Sequence, residues 1–440
     1  MKTLFVLLAL TCAFAAVAAQ KFEYEDAPKN CPKIKILNTM KMTPKRKAKR
    51  TFLGQYVKVT NRMLFGGGYG YDKYSGAVYY WTKLVGFGDR MIIFQRLRPS
   101  DPQNGAYFGL NLNYGEGILA VGSPFWKSNG FQSGAAYVFK AQSSGRFTQV
   151  AKLVPKDVHP GAYFGYSIIV ASGNRIIVGS RRADNDKTGA KFVGAFYVWK
   201  KTKNGKYKVI QKERGPGSFS QFSDEIRAEK DILLVSAPRW KDTKGTAYVY
   251  KVKSDGTYRR IQELVPQLPD GVQLKIESHI GEGLALTWTT KWIAVGGERA
   301  RSYQGKSGAV YLWKRNGDKY EFYQHLFPHE GGPNQRYGQR VDIVDNMVVV
   351  GAWTRWISGG QKGVVYLYHK CLDGKFYFRK LLRLRKGTKR DEYGKVVDAN
   401  RNFIAVGAPK HDESGKRSGN EGAVFLYKYR IECQGKCPSV

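Results

Sequence analysis

Ala162-Tyr163-Phe164-Gly165-Tyr166-Ser167 and Gly194-Ala195-Phe196-Tyr197 contain two phrases that return throughout the chain, and their recurrence decides the fold. The second phrase has seven copies. They begin at Gly76, Gly134, Gly194, Gly245, Gly308, Gly363 and Gly422, spaced 51 to 63 residues apart. Each copy is rich in aromatic and β-branched residues and reads as a strand. The first phrase is an aromatic-Gly pair: Phe108-Gly109, Phe164-Gly165, Tyr337-Gly338 and Tyr393-Gly394, with looser copies at Leu53-Gly54, Phe222-Ser223 and Ile280-Gly281. Between the two phrases lies an apolar run such as Ile118 to Val121, Ile176 to Val178 or Met347 to Val350. Runs of that length between turns fit strands buried on both faces. Asn204-Gly205, Asp255-Gly256 and Asn316-Gly317 then mark hairpin turns, because both central positions need positive φ.

Each unit therefore holds four antiparallel strands, and seven such units read as an all-β, seven-bladed β-propeller. A solenoid repeat is shorter and an immunoglobulin-like domain longer. The last unit lacks room for a fourth strand after Tyr427 to Ile431. Ile34-Lys35-Ile36-Leu37 is expected to supply it, which covers two exposed sheet edges at once. The expected organisation is a signal peptide over 1–19, a closing strand and basic linker over 20–50, the propeller over 51–432, and a cysteine-containing tail over 433–440.

These phrases resemble the FG-GAP repeat of the integrin α-subunit propeller and of many secreted proteins. Gly407-Ala408-Pro409 and Ser236-Ala237-Pro238 keep its second signature. The resemblance covers about residues 50–430 and implies the propeller fold; it says little about function. Integrin α repeats often carry an Asp-rich calcium loop. Here Asp342 to Asn346 and Asp398 to Asn402 read as short loops without the glycine turn and last acidic ligand, so no metal and no other cofactor is expected. Without a membrane anchor or leg region, the chain reads as a free-standing propeller.

Lys2, the apolar Leu4 to Leu10 and the small residues up to Ala19 have the pattern of a secretory signal. With Cys12 removed, Cys31, Cys371, Cys433 and Cys437 would form two disulfides in an extracellular, oxidising compartment. Three connectivities are open. A bond from Cys31 to Cys433 or Cys437 is expected, because it would lock the closing strand.

Lysine and arginine number 73 against 35 acids, a formal charge of +38. Such a surface attracts polyanions over a Debye length of about 8 Å. Acidic or sulfated polysaccharide, a matrix or an anionic surface are the expected partners, with nucleic acid bound only non-specifically. The loops after the second strands mix cations with aromatics: Tyr69; Trp126 and Lys127; Arg181 and Arg182; Arg239 and Trp240; Arg299, Arg301 and Tyr303; Trp353, Arg355 and Trp356; Lys410. Aromatic faces stack on sugar rings, and arginine pairs bidentately with sulfate or carboxylate. The tract Lys45 to Arg50 reads as a solvated linker, with a polyanion hook or protease site as alternatives.

The function expected is thus a secreted, non-catalytic binding or adhesion protein of extracellular-matrix type. The rival is a matrix, biomineral or adhesive scaffold that coheres through its 28 tyrosines and many lysines. A polysaccharide lyase is a second alternative, since a Tyr or His beside Arg would suffice for it. None of the six histidines falls in a metal or nucleophile-base motif.

Overall fold

The computed structural model describes residues 25–440 except 45–49, 84–87, 89, 129–130, 186, 268–276, 301–305, 331, 358–359, 362, 385–390, 413–418, 434, 436 and 439–440. Seven four-stranded antiparallel sheets form the blades of a β-propeller. From the axis outward, blade one is Tyr56–Val59, Met63–Gly68, Ala77–Lys83 and Met91–Leu97. Blades two to six repeat that order. The second strands are buried almost throughout, as in Arg175–Ser180, Ile232–Ala237 and Phe403–Ala408. Each is covered on both faces by neighbouring blades, which is why these runs are continuously apolar.

The two recurring phrases meet each other. Gly134 of blade two bridges Phe164 of blade three, and five further Gly-to-aromatic (or Leu, Ile) bridges repeat this between successive blades. Gly134 has φ +94°, and a Cβ there would lie 2.1 Å from the Phe164 carbonyl oxygen. Only glycine fits so close a backbone crossing. Leu53 and Gly422 make the same bridge between blades one and seven, so it also closes the ring.

Blade seven is completed from the N-terminal side. Lys33–Met42 pairs antiparallel with Ala423–Glu432, from Lys33 opposite Glu432 to Met42 opposite Val424. A bulge between Ile36 and Asn38 breaks the alternation, and Leu37 is left exposed.

The disulfides correct the expected pairing. Cys31 bonds Cys371, and Cys433 bonds Cys437. Cys31 lies just before the closing strand, beside the outer hairpin of the neighbouring sixth blade, where the Cys371 N–H donates to the Lys375 carbonyl and the Cys371 carbonyl accepts from the Gly374 N–H. The bond therefore staples blade seven to blade six across 340 residues of sequence. The short Cys433–Cys437 loop only tidies the tail. No helix of the described residues is long and apolar enough to cross a membrane. Two disulfides fit an oxidising environment. The 1–19 segment lies outside the described residues, as does the basic tract except Arg50.

Candidate ligand-binding face

Seven side chains ring one mouth of the axial channel, and one backbone feature puts them there. The residue before each aromatic-Gly pair is left-handed in every blade: Phe52, Tyr107, Tyr163, Gln221, His279, Arg336 and Glu392 have φ between 50° and 57°. Positive φ is uncommon for such residues. Here it turns each side chain out of the inner strand and onto the residues that follow the second strands.

On one side the ring is aromatic. Phe52 stacks on Tyr69 with centroids 5.0 Å apart, and Tyr69 lies 5.0 Å from Tyr107. Phe125 bridges Tyr107 and Tyr163 at 4.7 Å from each. Arg182 then lies 4.9 Å from the Tyr163 ring and 5.4 Å from Phe192. Phe192 contacts Phe219 at 5.6 Å, and Phe219 is 61% exposed. The result is a continuous aromatic arc over blades one to three that ends in solvent. Burial, with Tyr107 and Glu392 nearby, pushes the Tyr69 hydroxyl up, so it remains a neutral donor.

On the other side the ring is ionisable. Glu392 pairs with Lys410 at 2.6 Å. Arg336 bonds Glu298 at 3.1 Å and also faces the Trp353 indole at 5.1 Å. Lys395 sits 3.5 Å above the same indole, and burial lowers its ammonium to about 8. His279 reaches Glu298. Burial, with Asp224 and Glu298 close by, raises the Glu282 carboxyl to about 8.

The sequence-derived residues separate into groups. Tyr69, Arg182, Trp353 and Lys410 belong to the ring. Arg181 lies at its edge, bonded to Asp224 at 2.9 Å and stacked 4.1 Å from Tyr166. Arg299 is half-exposed and 3.8 Å from both Glu277 and Glu298. Trp126 donates to Asp101 at 3.2 Å and has Lys152 3.3 Å over its ring. Lys127 beside it is exposed. Trp240 is pressed against Gly217, where a Cβ would come within 2.6 Å of the indole; Arg239 is half-buried. Arg355 is buried, donates to the Tyr366 hydroxyl at 2.9 Å and pairs with Glu330. Arg301, Tyr303 and the side chain of Trp356 lie outside the described residues.

Below the ring the channel holds a cavity of about 300 Å³ lined by Tyr56, Lys58, Arg227, Glu229, Asp342 and Asp398 among others. Asp342 and Asp398, expected in loops, stand instead on the inner strands Arg340–Val344 and Val396–Ala399. Each accepts a backbone N–H of the next blade at 2.6 Å: Asp398 from Val59, and Asp342 from Ala399. Asn113 does the same for Val170 at 3.1 Å. These side chains stitch blade to blade. Asp398 also holds Lys58 at 2.9 Å, and Arg227 pairs with Glu225. Burial beside Asp398 raises Asp342 to about 7. A signal for this channel existed: Tyr56, Glu225 and Arg340 stand two residues after the Gly or Ser of the aromatic-Gly pair, and Lys58, Arg227, Asp342 and Asp398 four after it.

The FG-GAP repeat model matches residues 147–199 and 320–368. Each match begins on the outer strand of one blade and ends on the third strand of the next, so it spans one aromatic-Gly pair and one Gly-Ala-Val-Tyr phrase. No curated protein matches the chain. Among solved structures, the crystal structure of a protein from Lactobacillus plantarum aligns with a TM-score of 0.47 and 13% identity, covering 74% of this chain and 84% of that one. This chain is a seven-bladed β-propeller carrying FG-GAP repeats.

Proposed function

We propose that the protein is a secreted binding protein whose mouth face takes an anionic glycan of the extracellular matrix. The fold with its repeats fits a binding or structural role. The observation that carries the finer reading is the arc from Phe52 to Phe219 with Arg182 set within it. Stacked and tilted rings in mutual contact, with a guanidinium set between two of them, suit a polymer that alternates sugar faces with sulfates or carboxylates. The net charge of +38 would draw such a polymer in from a distance. Trp126 and Trp240 lend packing rather than open faces to this reading, since each is covered by a neighbour.

The adhesive-scaffold reading is weaker. Most of the 28 tyrosines are buried in strands, out of reach of cross-linking. The lyase reading would need a base beside a cation, and Tyr163 with Arg182, which donates to its hydroxyl at 3.4 Å, is the pair on the arc that it would use.

Retention on sulfated, carboxylated and neutral polysaccharides across a salt gradient tests the proposal. One glycan should hold at salt that strips the others. Retention that follows charge density alone would refute a specific site.

A further inference from the structure

We propose that His279, Glu282 and Glu298 form a binding site for a first-row divalent transition ion at the blade-five rim of the axial channel. Their ligand atoms lie within 4.8 Å of one another. His279 Nδ1 is 3.4 Å from one Glu298 oxygen and 3.9 Å from a Glu282 oxygen. Donors about 2.0–2.2 Å from a common metal are at most roughly 4 Å apart, so a shift of about 1 Å closes the set.

The three groups are placed by different devices in one blade. His279 has left-handed backbone, and its ring reaches Glu298. Glu298 directly follows the second strand, Trp292–Gly297. Glu282 sits in a β-bulge of the inner strand Ile280–Leu286, where the register shifts between Ile280 and Gly283. Bulges re-aim side chains in this way. Blade three has the same bulge between Phe164 and Ser167, but Tyr166 occupies it and stacks under Arg181. Blades three and five therefore share the bulge; the same position carries Asp224 in blade four, so what sets blade five apart is Glu282 together with His279 and Glu298.

The donor chemistry sets the class of ion. An imidazole nitrogen with two carboxylates suits zinc and its first-row neighbours, whereas calcium and magnesium prefer all-oxygen shells. His279 and Glu298 are buried, at 1% and 3% exposure, so the donors are held rather than free in solvent. The surrounding cations are accounted for. Arg181 is engaged by Asp224 and Arg340 by Glu225, both within 4 Å. Arg336 and Arg299 both approach Glu298. Arg336 is placed to hold the Glu298 oxygen that the ion leaves free, as outer partners of metal ligands do. Glu298 is buried and Glu282 half-buried; two carboxylates so close repel each other, and a dication neutralises both.

The test uses the untagged full chain in chelator-stripped, phosphate-free buffer near neutral pH. One equivalent of Co²⁺ should produce visible d–d absorption, and Zn²⁺ should displace it. Glu282→Gln and His279→Gln should each weaken Zn²⁺ binding by about tenfold or more. Glu282→Gln keeps the Arg336–Glu298 contact, and circular dichroism establishes that it is folded. Failure of the wild type to take up either ion below millimolar concentration overturns the site. So does wild-type affinity in folded Glu282→Gln, or displacement of Co²⁺ by equimolar Ca²⁺. None of these outcomes depends on glycan binding.

Discussion

The aromatic and ionisable sides of the mouth share one backbone and differ only in side chains. Phe52, Tyr107 and Tyr163 occupy the same left-handed position as His279, Arg336 and Glu392. On the aromatic side the side chains form a chain of rings that runs out to solvent. On the ionisable side they form ion pairs and a cation-covered Trp353. The repeat supplies the position seven times, and each blade fills it with its own chemistry. Function on such a fold is a property of what stands at that position, not of the fold.

The largest effect should come from breaking the frame that both sides share. Gly165 has φ +90°, and a Cβ there would sit 2.4 Å from the Ala135 carbonyl oxygen. Gly165→Val should cost about 4 kcal/mol or more, or prevent folding, and urea denaturation would measure it. Next comes the staple. Loss of the Cys31–Cys371 bond, by Cys31→Ser with Cys371→Ser, should cost on the order of 3–5 kcal/mol, because it closes a 340-residue loop. Opening the Cys433–Cys437 loop should cost far less. Equal losses for the two bonds would show that loop length is not what matters.

A third experiment separates the two sides. Tyr163→Ala should weaken glycan binding by about tenfold, roughly 1.4 kcal/mol, with little change in its salt dependence. Lys410→Ala should instead flatten the salt dependence slightly and leave high-salt retention intact. If the two variants behave alike, the distinction between the sides has no functional meaning.

A fourth concerns pH. Asp342 is raised to about 7, while an unfolded aspartate titrates near 3.9. Between these values the folded chain holds a proton that the unfolded chain has lost. Stability from this group is therefore full below about pH 4, falls as pH rises toward 7, and is level above that. Asp342→Asn should remove this slope and keep an acceptor for the Ala399 N–H. Melting temperature against pH would show it. The smallest effect is optical. Lys395 over Trp353 should change the tryptophan emission with a midpoint near pH 8, and Lys395→Met should abolish that step.

Much of this was legible in the residues. Periodic phrases spell out four strands per unit and seven units, because a strand buried between blades must be apolar and a turn needing positive φ must carry Gly or Asn. Ile34 to Leu37 was readable as the closing strand because blade seven lacked an edge. Tyr69, Arg182, Trp353 and Lys410 were readable as face residues because they follow the second strands. Phe52, Tyr107, Tyr163 and His279 were not. Their place before the aromatic-Gly pair is marked in sequence, but the left-handed backbone they adopt there goes with the crossing of Gly134 over Phe164, which is made between blades. The disulfide pairing was likewise hidden, since the distance from Cys31 to Cys371 depends on which blades are neighbours. The roles of Asp342 and Asp398 were hidden for the same reason: each carboxylate caps a backbone N–H of the next blade, and for Asp398 only ring closure brings that blade near. Local sequence determines strands, turns and burial, which are short-range consequences of polarity and φ preference. Tertiary structure alone decides which side chains from distant repeats share one axis, and that sharing makes the face, the channel and the blade-five site.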